Sequence, residues 1–192
     1  KKLKGHKLIL GSGSPRRPPF LEEMGLDFEV RPKAVEEIYP QHLQGVGISE
    51  YLAQLKAVSF KSELLENEIV ITSDTVVWHN TTSLAKAATK EEAFTMLRTL
   101  SGDWHQVITS VCFTTSKTQK TVSQITEVKF MAFTDTEINY YIENFKPYDK
   151  AGAYGIQGWI GRVGISEIKG SYTNVVGLPT HLDYKTLMDM VS

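Results

Sequence analysis

Residues 107–115 and 122–133 are two long runs rich in β-branched and aromatic side chains, joined by a polar turn around 118–120. They constrain the fold more than any other stretch, because such a pair forms a β-hairpin. A hairpin is antiparallel, so it interrupts the alternation of strand-like and helix-like segments on either side. That alternation begins with the apolar run 7–10, a Gly/Ser turn, helical spacing at 20–24 behind Pro18 and Pro19, and a second strand-like run at 28–30. Residues 49–65 carry Leu52, Leu55 and Phe60 toward one side of a helix, and the Ile- and Val-rich residues 68–78 form a buried strand before a turn at 79–82. Thr89 with Glu92, and Thr134 with Glu137, have the spacing of capping boxes. The first opens a helix with Phe94, Leu97 and Leu100 that closes at Gly102. The second opens a helix with Ile138, Tyr141 and Ile142 that stops near Pro147, and a last helix starts near Pro179. The fold class that follows is α/β, a mixed sheet flanked by helices.

At 192 residues the chain suits one domain, 1–192, rather than two independent ones. Its formal net charge of -1 comes from scattered acids and bases, which leaves no basic face for a duplex and argues against nucleic acid as a partner. The single cysteine, Cys112, sits in a strand-like run and reads as a small buried apolar side chain, consistent with a reducing, cytoplasmic setting. No apolar run approaches the ~20 residues of a membrane-spanning helix, so no membrane partner is expected.

Chemistry is suggested at a few points. Residues 11–19, GSGSPRRPP, put small residues and Arg16 and Arg17 between a strand and a helix start, with Ser12 and Ser14 beside them. That is either a phosphate cradle, with backbone N–H groups and paired guanidinium donors, or an exposed turn with two solvated arginines. It is not a Walker loop, and the dinucleotide G-x-G-x-x-G pattern fails at Arg16. Asp74 lies inside the apolar strand, where an ionised carboxylate is costly unless paired or metal-bound; the alternative is a structural acid capping a turn at the strand's end. Lys56 falls on the apolar stripe of its helix, as a functional cation or a snorkelling lysine. Lys86 and the pair Glu36 and Glu37 read locally as surface charges. Five histidines lack metal-ligand spacing. The run 148–158, with Lys150 and Gln157, mixes charge, aromatics and glycine as a binding loop does.

Taken together these segments resemble the Maf family of nucleoside-triphosphate pyrophosphatases. The family's S-x-S-P-R-R appears at 12–17, its Ala-Asp-Thr strand as Ser73, Asp74 and Thr75, and its L-S-G-x-x-H-x-V-x-T at 100–109. The stretch DKAGAYGIQG at 149–158 is similar to the branch acting on dTTP and UTP, whose specificity positions match Arg16, Thr75 and Gln157. The resemblance implies two lobes around a central cleft, as in ITP-hydrolysing relatives, often in a homodimer. It implies Asp74 as catalytic proton acceptor, with Lys56 and Lys86 as catalytic cations. Ser12, Ser14, Arg16, Arg17, Thr75, Lys150 and Gln157 would bind the nucleoside triphosphate, and Asp74 and Glu37 would hold a divalent Mg or Mn. Two departures stand out: Gly-Lys-Pro reads Ala85, Lys86, Ala87, and Pro18-Pro19 replaces polar or aliphatic residues. The rivals are an ITP/XTP-type pyrophosphatase and a nucleotide-binding regulator of septum formation.

Overall fold

A computed structural model describes residues 3–192. The strands are β1 (Lys7–Leu10), β2 (Phe28–Val30), β3 (Glu68–His79), β4 (Thr82–Leu84), β5 (Trp104–Thr114), β6 (Gln119–Phe130) and β7 (Ile165–Lys169). They form one seven-stranded sheet in the order β2-β1-β3-β5-β6-β7, with β4 paired to β3 off this path. β2, β1 and β3 run parallel, whereas the β3–β5, β5–β6 and β6–β7 pairs are antiparallel. The hairpin expected from the β-prone runs is the β5–β6 pair, and the sheet is mixed for the reason given there. The helices are α1 (Pro18–Glu23), α2 (Val46–Val58), α3 (Lys90–Leu100), α4 (Asp135–Phe145), α5 (Trp159–Val163), α6 (Tyr172–Val176) and α7 (Thr180–Met190).

The long central strands serve two hydrophobic cores. One gathers Leu8, Leu10, Leu21, Ile69, Ile71, Val111, Phe113 and Leu187. The other gathers Val77, Leu97, Val107, Phe130, Ile138 and Ile160. Between them β3 and β5 turn polar, where Ser73 pairs with Val111, Asp74 with Ser110 and Thr75 with Thr109. Two lobes therefore share one sheet, and its polar waist is the level of the cleft.

Local differences have local causes. The helix expected over 49–65 runs from Val46 to Val58: Ser59 turns its hydroxyl back onto the Lys56 carbonyl, the chain tightens into turns, and Phe60 packs instead against Ile9 and Val70. The expected turn at 79–82 narrows to Asn80 and Thr81, both at positive φ, and Thr82 already pairs with His79 in a β3–β4 hairpin. The Thr134–Glu137 capping box is complete. The Thr89 one is half formed, because Glu92 accepts from the Ala88 N–H rather than from Thr89. Among the described residues no helix is long and apolar enough to cross a membrane.

Candidate active site

A cavity of about 690 Å³ opens at the sheet's waist, lined from four directions: the β1–α1 loop, β3, α2 and the loop after α4. Asp74 stands mid-strand, five residues before β3 ends at His79, so it caps no turn. Only 7% of it is exposed. Lys56 reaches it from α2, donating to Oδ1 at 2.9 Å and to the Ser73 carbonyl at 3.3 Å. Oδ2 accepts from no protein group among the described residues and belongs to the cavity lining. Burial pushes the Asp74 carboxyl above its ordinary range, and Lys56 and Arg17 oppose that without overcoming it.

Lys56 also meets Glu37 Oε1 at 3.0 Å, so one ammonium is shared by two carboxylates. That settles its role on the apolar stripe: it is an ion-paired cation, not a snorkelling one. Glu37, with 47% of its side chain exposed, feels burial pushing its carboxyl up, but the pull of Lys56, Lys86 and Arg17 outweighs this and holds it below its usual pKa. Lys86 lines the cavity and makes no side-chain hydrogen bond or ion pair among the described residues, while its backbone bridges to Ala151.

The β1–α1 loop lines the cavity from Gly11 to Arg17, with part of its backbone already engaged. Pro18 and Pro19 are the first residues of α1 and carry no N–H, and the Ser14 and Arg16 N–H groups are already taken by the Ser12 and Ser14 hydroxyls. Beside its remaining N–H groups, the loop offers an anion two guanidinium groups, Arg16 and Arg17. Arg17 is 8% exposed, and burial lowers its pKa to about 10, which leaves it fully charged at neutral pH. It donates from Nε to the Gly177 carbonyl at 3.0 Å, from Nη1 to Ser12 Oγ at 3.0 Å and from Nη2 to Thr75 Oγ1 at 3.3 Å. A guanidinium has five N–H groups, so a pair remains for an incoming anion.

Across the mouth, Arg16 Nη1 donates to Asp149 Oδ2 at 3.2 Å, and Lys150 donates to the other oxygen at 2.9 Å. The loop that carries them is docked by its backbone: the Gly152 N–H reaches the Leu84 carbonyl at 2.9 Å, and Ala153 takes φ 58. Gln157, exposed and without a side-chain hydrogen bond among the described residues, lines this cavity and also a smaller neighbouring one of about 380 Å³. The structure thus brings Ser12, Ser14, Arg16, Arg17, Glu37, Lys56, Asp74, Thr75, Lys86, Lys150 and Gln157 around a single cavity. Local reading of the residues gave no role to Asp149, which looked like one more loop acid, nor to Thr109, which looked like one more strand threonine.

The pattern of Maf-like proteins matches residues 7–190. The chain belongs to the Maf family. Relatives in Flavobacterium johnsoniae and Flavobacterium psychrophilum, each named dTTP/UTP pyrophosphatase, are 53% and 52% identical, over 99% and 98% of this chain and 98% and 97% of their own. A Bacteroides fragilis relative of the same name is 44% identical over 96% of both chains. The solved Staphylococcus aureus Ham1 protein overlays 65% of this Maf-family chain and 71% of its own at 15% identity and TM-score 0.48, a distant likeness on which no assignment rests.

Proposed function

We propose that this Maf-family chain, acting as one domain, hydrolyses dTTP and UTP to the nucleoside monophosphate and pyrophosphate. The observation that carries the reading is the state of Asp74: one oxygen fixed by Lys56, the other without a partner, in a cavity that also presents Arg16, Arg17 and Lys86. Water attacks the α-phosphorus, its proton passes to Asp74 Oδ2, and the α–β bridging oxygen departs with pyrophosphate. The cations stabilise charge on the phosphoryl oxygens and the leaving group, which is most of what phosphoryl transfer needs. Gln157, with its amide unengaged, reads the pyrimidine edge. The names of the relatives support this substrate class.

Among the described residues no cluster of three or more His, Cys, Asp or Glu side chains forms a preset metal cage. Asp74 and Glu37 nonetheless supply two hard carboxylates close enough to share one cation, Lys56 Nζ. That donor set fits Mg or Mn, which take one or two carboxylates and complete their shell with phosphate oxygens and water. The metal would neutralise charge on the triphosphate.

Pyrophosphate release from dTTP, UTP, CTP, GTP and ITP with added Mg or Mn tests the reading. Turnover should favour dTTP and UTP, and Asp74→Asn should lower it at least about 100-fold, the scale of a lost general base. Equal turnover by the variant, or a preference for ITP, would overturn it.

A further inference from the structure

Thr109 does not line the cavity and is wholly buried in β5, yet it belongs to an unbroken chain of hydrogen bonds that ends on Arg17. Arg17 Nη2 lies 3.3 Å from Thr75 Oγ1, Thr75 Oγ1 lies 2.9 Å from Thr109 Oγ1, and Thr109 Oγ1 lies 3.1 Å from the Asn174 carbonyl. Proton counting fixes the direction of the chain. A carbonyl has no hydrogen, so Thr109 must donate to Asn174; Thr109 then has nothing left to give, and Thr75 must donate to it. Thr75 is thereby obliged to present a lone pair, not a proton, toward Arg17. The far end is anchored, since the two hydrogens of the Asn174 NH2 are shared among Val107 O, Gln124 O and Thr126 Oγ1 at 3.2, 3.2 and 2.9 Å. Helix α6 therefore holds both sides of the guanidinium: Nε directly through Gly177 O, and Nη2 through two threonines.

We propose that Thr109 is a positioning residue that fixes the orientation of Arg17 through Thr75, and so the grip of the cavity on phosphate. The same counting makes Thr75 unable to donate to a ligand while the relay is intact, so Thr75 contributes to the site through Arg17. The proposal rests on the reading above for what Arg17 grips, although not for the reaction that follows.

The test is a double-mutant cycle between Thr109→Val and Arg17→Lys in the full chain, with two readouts. One is the affinity for inorganic tripolyphosphate by calorimetry; the other is KM and kcat for pyrophosphate release from dTTP. Thr109→Val should weaken tripolyphosphate binding by up to about tenfold and raise KM in parallel, the upper end of the worth of one neutral hydrogen bond, because Thr75 is then no longer held with its lone pair toward Arg17. Thr109→Ser, which keeps the hydroxyl, should return most of the affinity. In the Arg17→Lys background, where Nη2 no longer exists, Thr109→Val should add less than about a twofold change, because residues acting through one group are not additive. Equal effects in both backgrounds, or a serine variant as impaired as valine, overturns the relay. Should Thr109→Val not fold, Thr75→Val breaks the same link, and the same cycle decides. A wild type that binds tripolyphosphate yet cleaves no nucleotide defeats the proposed reaction while the binding cycle still decides the relay. A wild type that does not bind tripolyphosphate overturns the relay's purpose as well.

Discussion

Arg16 and Asp149, 133 residues apart in sequence, meet across the mouth of the cavity, with Nη1 3.2 Å from Oδ2. Asp149 binds Lys150 with its other oxygen, so one exposed carboxylate arranges two cations before any phosphate arrives. Exposed ion pairs contribute at most about 1 kcal/mol, which is less than a charged phosphate offers the same arginine. The exchange of partners is therefore easy.

Asp149→Asn should accordingly change KM for dTTP by less than about fivefold, the scale of a surface ion pair, whereas Arg16→Ala should raise it by more than about tenfold. Steady-state kinetics on the two variants checks this. A larger loss from Asp149→Asn than from Arg16→Ala would mean that the carboxylate itself contacts substrate.

Lys56 is the group that opposes the upward shift of Asp74. Asp74 must be ionised to accept a proton, so activity is lost as pH falls through its pKa. Removing the ammonium with Lys56→Met raises that pKa further, because burial remains while the largest opposing interaction is gone. The acid limb of the kcat/KM profile should move to higher pH in the variant, beyond any fall in the plateau. An acid limb that stays in place would show that it reports another group.

Much of this was legible in the sequence, and the parts that were not have a common cause. Asp74 announced itself because an ionised carboxylate inside an Ile/Val strand is costly unless paired, a local signal. Thr89 and Thr134 mark the starts of α3 and α4 by the same kind of signal. By contrast α5, β7 and α6 are five residues each, too short to establish a period, and they went unread. The Thr75–Thr109 contact depends on the register of β5 against β3, and the Arg16–Asp149 pair on two loops meeting in the fold, neither of which a local pattern carries. Pro18-Pro19, a departure from the family pattern, has its account in the structure: the two prolines begin α1, where a missing N–H costs little.

Gly152 makes its place in the loop conditional on having no side chain. Its φ is 68, and an added Cβ would lie 3.0 to 3.2 Å from three carbons of Val77. Gly152→Ala should cost about 1–3 kcal/mol through strain and displace the segment that carries Lys150 and Gln157, raising KM. Gly47, in the first turn of α2, meets nothing closer than Leu43 at 3.7 Å and has no positive φ. There the same substitution should stabilise by about 0.5–1 kcal/mol. Thermal unfolding of the two variants should show opposite signs.

Asp183 is the least comfortable group in the molecule. It sits in the first turn of α7 at 4% exposure, and neither carboxyl oxygen has a hydrogen-bond partner among the described residues. Burial pushes its pKa well above the usual carboxylate value, with Arg17 the charge that pulls it back. The native state then holds a proton that the unfolded chain has already released. Stability contributed by the protonated form is complete below the unfolded pKa and is lost as pH rises through the native one. Asp183→Asn removes this titration while keeping the shape. Its unfolding free energy should therefore fall less than that of the wild type as pH rises from 5 to 8, by a difference on the order of 1–3 kcal/mol, the range for burying an uncompensated polar group. Asp74 is shifted in the same direction, so the variant retains part of the slope. Parallel curves for wild type and variant would mean that Asp183 has found a partner in solution, and with it that α7 packs differently against Arg17.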